Sequence, residues 1–339
     1  MKAILVEQPG QVRLIEKEMP VLRTDTDVLV KMTAVGVCGS DIHILHGTHP
    51  YVQYPRIIGH EGAGMVMEVG KGVADLQKGD GVVIEPIQYC GECYACRKGR
   101  HNVCEKLRVT GVHDDGTYQE YMVLDRKQLH KYSRELTPAE AVAAEPYTIG
   151  AQANARAGTA KGDFVLIHGA GPIGLITCDL AAALGAVCMV SEPNESRLEM
   201  AKAFGAKYVI RPDKEDLKAR LMEITGGMGA NIIFEAAGVP KLLEDSLELA
   251  SAAGTIIPMT FGDKPIPLNF GLVNKKELTI GGTRMECGRF PAVLESFPGR
   301  KDRLDRLVTH TFSLEEYEKA FATFVDKTSG SCKVIMVME

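Results

Sequence analysis

Four of the nine cysteines in this 339-residue chain crowd into one short stretch. Cys90, Cys93, Cys96 and Cys104 follow the spacing C-x2-C-x2-C-x7-C. Four thiolates this close on a loop can surround one tetrahedral zinc ion. An iron–sulfur cluster is the rival reading. The bacterial ferredoxin run, however, closes with a three-residue gap before Cys-Pro. Here seven residues separate Cys96 from Cys104, and Glu105 follows. Disulfides are the third reading, which a cytosolic chain disfavours. With four protein thiolates the ion has no open position, so such a site stabilises a loop and does no chemistry.

A second set is sparser: Cys38-Gly39-Ser40-Asp41-Ile42-His43, then Gly59-His60-Glu61, then Glu145-Pro146. One thiolate, one imidazole and one carboxylate make three protein ligands. The fourth place is left for water or substrate, which is the arrangement of a catalytic zinc. Each residue also has a plainer reading. Cys38 fits a core position, His60 a satisfied loop histidine, and Glu145 a solvated helix residue. Spacing alone leaves these open.

The third constellation is a turn, Gly169-Ala170-Gly171-Pro172-Ile173-Gly174. An apolar run, Phe164–Ile167, precedes it, and a helical pattern from about Pro172 to Leu184 follows, stopped by Gly185. A second strand, Val187–Val190, ends beside Glu192. Gly169 permits the tight turn, Gly171 a close approach of a pyrophosphate, and Gly174 close packing of helix on strand. Pro172 suits the first helical turn, whose free N–H groups and dipole attract the pyrophosphate. Ile173 lies in the same turn. Glu192 is suited to the adenosine ribose hydroxyls and repels a 2′-phosphate, which favours NAD over NADP. Arg197 softens that preference, since it could stack on adenine or hold a phosphate. The bland alternative is an ordinary strand–helix turn.

These residues need a scaffold, and the length suggests two domains. Hydrophobic content is 45% and charged content 24%, ordinary for a globular chain with a large core. The net charge of −5 points to neither nucleic acid nor an anionic membrane. No signal peptide or bilayer-spanning run is apparent, so a cytoplasmic protein with reduced thiols is expected. Residues 1–150 show short strand-like runs (Ala3–Val6, Val28–Met32, Gly64–Val69, Gly81–Glu85) separated by glycine turns, as in a β-rich domain. Thr137 and Glu140 form a capping-box opening. From Lys161 strands and helices alternate: a helix at about Glu195–Phe204, a strand at Tyr208–Ile210, a helix at about Lys214–Ile224, a strand at Ile232–Glu235, a helix at about Pro240–Ser251 and a strand at Thr255–Met259. This is the pattern of an α/β doubly wound parallel sheet. The alternation loosens near Gly288. A second capping box at Ser313 and Glu316 opens an amphipathic stretch, Leu314–Phe324, and Cys332–Val337 reads as a last strand. The tail is expected to return to the first domain. Cys178, Cys188, Cys287 and Cys332 read as core thiols, His168 as packing beside the cofactor, and His46 and His49 as loop residues near substrate.

Taken together, Cys38-Gly39-Ser40-Asp41, Gly59-His60-Glu61, the Cys90–Cys104 lobe, Glu145-Pro146 and Gly169–Gly174 resemble a zinc-dependent medium-chain dehydrogenase over essentially the whole chain. The resemblance implies a GroES-like catalytic domain (1–150, completed by 290–339) and a Rossmann NAD-binding domain (151–289), with the active site in the cleft between them. It implies two zinc ions per chain, one catalytic and one structural, and NAD. Thr283 and Arg284 join the expected cofactor contacts. Within the family the chain is similar to the polyol and sorbitol branch. Cys38, His60 and Glu61 are then the expected catalytic ligands, with Glu145 a ligand or a partner of the zinc water. Ser40 is expected to pass the substrate proton through the nicotinamide ribose towards His43. Gly111–Gly116, Glu145–Ile149 and Thr309–Phe312 resemble a bacterial group holding L-gulonate and L-galactonate 5-dehydrogenases and RspB-type proteins. Ser191-Glu192-Pro193 is shared with L-threonine 3-dehydrogenase. The expected activity is oxidation of a secondary alcohol in a sugar acid or polyol. Threonine oxidation and a non-catalytic NAD or sugar-acid sensor are the alternatives. The partners implied are a small-molecule alcohol and further copies of the chain, as a homodimer or homotetramer. The Leu278–Gly282 stretch reads as a strand able to extend the sheet across a two-fold axis.

Overall fold

Short, alternately buried strands open the chain. They are β1 (Lys2–Gln8), β2 (Gln11–Glu16), β3 (Asp27–Gly36), β4 (Arg56–Ile57), β5 (Glu61–Val69), β6 (Gly81–Ile84), β7 (Ile87–Gln88), β8 (Arg108–Val109), β9 (Tyr121–Asp125) and β10 (Leu129–Lys131). In β3, Val28, Val30, Met32 and Ala34 are buried while their neighbours are partly exposed, the period of two of a half-buried strand. One antiparallel sheet has the order β2-β1-β4, and a larger one contains β10-β6-β5-β3 with β9 also on β3. A seven-residue helix, α1, spans Gly39–Leu45, and the Asp41 carboxylate accepts from the Cys38 N–H at its start. The computed structural model describes residues 1–260 and 265–338. They divide into two compact units, residues 1–145 with the chain from Cys287 onward, and Pro146–Glu286.

The second unit is a six-stranded, all-parallel sheet. Its strands are β11 (Phe164–His168), β12 (Val187–Ser191), β13 (Tyr208–Ile210), β14 (Ala230–Glu235), β15 (Ala250–Pro258) and β16 (Thr279–Ile280), in the order β13-β12-β11-β14-β15-β16. Among the helices between them are Pro172–Ala183, Glu195–Ala203, Leu217–Ile224 and Pro240–Leu249. Leu166, Met189, Ile233 and Ile256 from four adjacent strands meet Leu221 and Leu247 from two of these helices. Each such buried aliphatic side chain contributes roughly 1.5–3 kcal/mol. Two expected elements are shorter than their sequence suggests. The Lys214–Ile224 helix starts at Leu217, because Asp216 caps it by accepting from Ala219 N at 2.9 Å. The Leu278–Gly282 strand is reduced to Thr279–Ile280, both exposed, because two glycines follow and Glu277 before it is left-handed at φ 52°.

His168 ends β11 with no exposed surface. Its Nε2 lies 3.4 Å from Ser246 Oγ, and its Nδ1 has no hydrogen-bond partner among the described residues. Burial, opposed only by the charge of Asp245, pushes its pKa down from 6.5 to about 4. The unfolded chain therefore binds a proton below pH 6.5 that the folded chain refuses. Stability is full above pH 6.5 and falls as the pH drops towards 4. Between pH 7 and pH 5 this amounts to about 2 kcal/mol. Thermal unfolding of His168→Gln should be flatter across that range than wild type by this amount. Parallel profiles would show that the imidazole is not the group responsible.

After the second unit the chain returns to the first. β17 (Val308–Ser313) and β18 (Lys333–Val337) lie parallel to each other, and β18 pairs antiparallel with β3, completing the order β10-β6-β5-β3-β18-β17. The Ser313–Glu316 box is present, but it opens a short 3-10 turn, and the α-helix proper runs Tyr317–Val325. No helix among the described residues is long and apolar enough to cross a membrane.

Candidate active site and metal centres

Cys38 Sγ, a ring nitrogen of His60 and a carboxylate oxygen of Glu61 all lie within 4.8 Å of one another. Chain pairing creates this proximity. Cys38 follows the end of β3, His60 immediately precedes β5 and Glu61 opens it, and Gly36 pairs with Glu61 across the two strands. A Cβ at Gly36 would displace the Glu61 carboxylate and the Lys333 side chain from where they lie. Asp41 Oδ2 accepts from Tyr118 Oη at 2.7 Å and from Cys38 N at 2.9 Å, while Oδ1 faces His60 Nδ1 at 3.6 Å. Lys333, 3% exposed, forms an ion pair with Glu61 and donates to the Val37 carbonyl at 3.1 Å.

The electrostatics of this cluster call for a cation. Burial opposes a charge on His60, but the charges of Cys38 and Asp41 outweigh it and hold the imidazole well above its usual range. Lys333 behaves alike: burial opposes, while Glu61 and Cys38 raise its pKa. Burial pushes Glu145 up to about 7, with His60 pulling down and Glu61 pushing up. Cys38, Glu61 and Glu145 lie around buried Lys333, and Cys38 and Asp41 around His60, so acidic groups outnumber the basic ones, and a divalent ion relieves such a cluster. A thiolate, an imidazole and a carboxylate suit zinc. Glu145 is buried beside the cluster but is not one of the three groups that share the 4.8 Å separation.

Ser40 Oγ lies 3.5 Å from His60 Nε2. His43 is exposed, with Nδ1 2.9 Å from Thr48 Oγ1. His46 is exposed, and His49 is half-buried and feels the charges of His43, His60 and His113. Asp41, Tyr118 and Lys333 were not singled out by sequence reasoning. The signals were slight: an acid inside the Cys38–His43 motif, and one lysine in an otherwise apolar last strand.

The four sulfurs of Cys90, Cys93, Cys96 and Cys104 also fall within 4.8 Å of one another. Cys90 and Cys104 are 3.5 Å apart, and Cys93 and Cys104 3.9 Å. Four 2.3 Å zinc–sulfur bonds at the tetrahedral angle separate sulfurs by about 3.8 Å. All nine cysteines are free, which removes the disulfide reading. Main-chain N–H groups point at the sulfurs, from Cys90 and Lys106 to Cys104 and from Cys93 to Cys90, at 3.3–3.4 Å. The N–H groups of Cys96 and Glu105 bring the Cys93 thiol down to about 6. Cys178, Cys188 and Cys332 are buried as expected. Cys287 is not a core thiol: it is partly exposed against the lobe, 2.9 Å from the Gly99 carbonyl oxygen and 3.3 Å from His101 Nδ1.

In the second unit Gly169 adopts φ 94°, and Pro172 is the first residue of the helix that Gly171 caps. A Cβ on Gly174 would run into the Gly169 carbonyl, so packing demands glycine there. Gly171 differs, because a Cβ would meet nothing within 4 Å. The protein itself does not require glycine at that point, and an approaching ligand gives the reason for one. Ile173 is partly buried in the first turn of the same helix. Glu192, 6% exposed, accepts from Ala170 N at 2.9 Å and Asn194 N at 3.0 Å, so its carboxylate rests against the glycine turn. Arg197 is half-buried in the first turn of Glu195–Ala203. Thr283 and Arg284 are half-buried after β16, and Thr283 Oγ1 has no hydrogen-bond partner among the described residues.

A β-rich unit with two zinc-type donor sets and a parallel-sheet unit with a dinucleotide turn define a metal-dependent dehydrogenase. The alcohol dehydrogenase GroES-like domain matches residues 24–134, and the zinc-binding dehydrogenase domain matches 172–297. L-threonine 3-dehydrogenase from Pyrococcus horikoshii is 36% identical over 348 residues, spanning 100% of this chain and 99% of its own length. L-galactonate-5-dehydrogenase from Escherichia coli K12 is 32% identical over 324 residues, spanning 94% of this chain and 95% of its own. The crystal structure of an alcohol dehydrogenase, RspB, from E. coli CFT073 in complex with NADH superposes with a TM-score of 0.93 at 35% identity, covering 100% of this chain and 99% of that one. The chain belongs to the zinc-containing medium-chain dehydrogenase/reductase family, with a GroES-like unit and a Rossmann-type sheet. It is an oxidoreductase acting on CH–OH groups, and its cofactors are zinc and a nicotinamide dinucleotide.

Proposed function

We propose that this enzyme oxidises a secondary alcohol of a sugar acid or polyol to the ketone, using NAD and a zinc ion held by Cys38, His60 and Glu61. The observation that carries the reading is the convergence of those three donor groups within 4.8 Å, one of each type, with no fourth protein ligand in the group among the described residues. That leaves a position for a substrate oxygen. When bound, zinc lowers the pKa of the substrate hydroxyl as a Lewis acid, and NAD takes the hydride at its nicotinamide ring. The chain's own residues do the rest. Asp41, fixed by Tyr118 and the Cys38 N–H, orients the His60 ring through its other nitrogen. Lys333 pairs with the Glu61 carboxylate that lies beside Cys38 and His60. As the Ser40 hydroxyl takes up the substrate proton it gives up its own, and His43, exposed beside Thr48, passes a proton on to water. Glu145 stands by as a second carboxylate for the open position. Cys90, Cys93, Cys96 and Cys104 hold a second zinc that shapes their loop.

Glu192 supports NAD over NADP, because a buried carboxylate beside the glycine turn accepts ribose hydroxyls and repels a phosphate. For the alcohol, His49 lies within reach of the charges of His43, His60 and His113, and imidazoles, which both donate and accept when neutral, suit a chain of hydroxyls. The likeness to L-galactonate-5-dehydrogenase and the motifs at Gly111–Gly116, Glu145–Ile149 and Thr309–Phe312 favour a sugar acid. The 36% identity to an L-threonine 3-dehydrogenase makes threonine the second reading. NADH absorbance with zinc-replete protein, NAD⁺ and a panel of L-gulonate, L-galactonate, L-idonate, D-sorbitol, galactitol and L-threonine separates them. Turnover of an aldonate with little of threonine is expected. Turnover of threonine alone would replace the sugar-acid reading with the second.

A further inference from the structure

The order of the parallel strands reverses between β11 and β14. From β11 the chain moves outward to β12 and β13, then returns to start β14 on the other side of β11. In an open parallel sheet a ligand sits outside the carboxyl ends of the strands at such a point. β11 ends at His168 and β14 at Glu235, opposite each other in register. The crevice there has two walls. One is the Gly169–Gly174 turn. The other is the turn Ala236-Ala237-Gly238-Val239, which packs flush on the first: a Cβ on Gly169 would lie 3.2 Å from Ala237, and Ala236 N donates to the His168 carbonyl at 3.0 Å.

The second wall contains no polar side chain with which to hold its own shape. Glu235, 3% exposed, holds it instead. Its Oε1 accepts from Ala237 N at 3.0 Å, Gly238 N at 2.8 Å and Val239 N at 3.3 Å, and its Oε2 accepts from Thr260 Oγ1 at 3.0 Å. A buried carboxylate is costly unless its oxygens are satisfied, and hydrogen bonds to a charged acceptor are the stronger kind. The turn is thereby fixed before any ligand arrives. A wall of this small size, mostly backbone and methyl groups, can then stand close to a flat ring.

We infer that Glu235 is a positioning residue for the dinucleotide, clamping the Ala236–Val239 turn so that it closes the crevice between β11 and β14 without itself touching the cofactor. This rests on the reading of Pro146–Glu286 as the dinucleotide-binding unit. The test is NADH binding, followed by fluorescence on the zinc-loaded enzyme, with Glu235→Met and Glu235→Gln. The methionine variant loses every bond of the clamp, and its NADH Kd should rise about tenfold or more, at unchanged zinc content. In the glutamine variant the amide oxygen still accepts from the three N–H groups while the amide N–H₂ donates to Thr260. Its Kd should stay within about threefold of wild type. If Glu235→Met does not fold, Gly238→Ala serves. Gly238 sits at φ 72° with no atom closer than 3.6 Å to an added Cβ, so the change strains the turn alone and should weaken NADH by several-fold. A folded Glu235→Met that binds NADH as wild type does overturns the inference, as does a glutamine variant as weak as the methionine one. Absence of NADH binding by the wild type would instead overturn the dinucleotide reading itself.

Discussion

Cys38→Ser should lower kcat by about a thousandfold or more and remove one zinc ion per chain, while the protein stays folded. Zinc acting as a Lewis acid is worth several kcal/mol of transition-state stabilisation, and each 1.36 kcal/mol is about tenfold in rate. Serine is the informative replacement. Cys38 precedes α1, and its main-chain N–H donates to Asp41 Oδ2 at 2.9 Å, a bond that serine keeps. Nothing in the sheet depends on the sulfur, so the thermal unfolding midpoint should move far less than the activity does. Cys93→Ser is the contrast. It also removes one ion, but from the four-thiolate lobe, where the metal closes a loop and makes no contact with the Cys38 group. There the expected loss is in stability, because the energy of a structural zinc is folding energy. Metal analysis, NADH turnover and thermal unfolding of the two variants should therefore separate. A Cys38→Ser protein that keeps its full zinc content and its turnover would sink the assignment of the catalytic ligand.

The donor residues themselves were legible because their chemistry is carried by type and spacing. Cys90 to Cys104 spans one loop, and a thiolate quartet has few other uses. The glycine turn was legible for the same reason, as a local motif between two local elements. What holds the donors in place was much less so. Asp41 meets His60 nineteen residues on, and Lys333 meets Glu61 only after the chain has passed through the whole second unit. No periodicity reports such a meeting; it arises when β18 pairs with β3 and β3 with β5. Glu235 was hidden differently. It ends a strand correctly expected from the sequence, but an acid at a strand end reads as a solvated loop residue until the three N–H groups around it are seen. The over-long helix at Lys214 and strand at Leu278 show the limits of pattern alone, since one capping aspartate and two glycines decided both ends.

Lys333→Met should be the most destabilising single change in the first unit, and its effect should depend on zinc. The lysine is 3% exposed and the glutamate it pairs with 1%, so its removal leaves the Glu61 carboxylate buried without its cation. Breaking a buried pair from one side costs roughly 3–5 kcal/mol. For a unit of this size that is a fall of about 10 °C in the unfolding midpoint. The double variant Lys333→Met with Glu61→Gln removes both charges and should recover most of the loss, since replacing a whole buried pair is often close to neutral. A bound zinc ion supplies the missing positive charge, so zinc should raise the midpoint of Lys333→Met more than that of wild type. The linkage has a definite sign. The Lys333 pKa is raised above its usual 10.5, chiefly by Glu61 against the opposing effect of burial. Its stabilisation is therefore fully present below pH 10.5 and lost only as the pH rises through the folded value, so the comparison holds across the neutral range. Unfolding midpoints of the single and double variants, each with zinc and with a chelator, test all of this together. Strictly additive losses with an equal zinc effect in every variant would mean that Lys333 and Glu61 are neighbours without being coupled, and that the carboxylate facing Cys38 and His60 is set by something else.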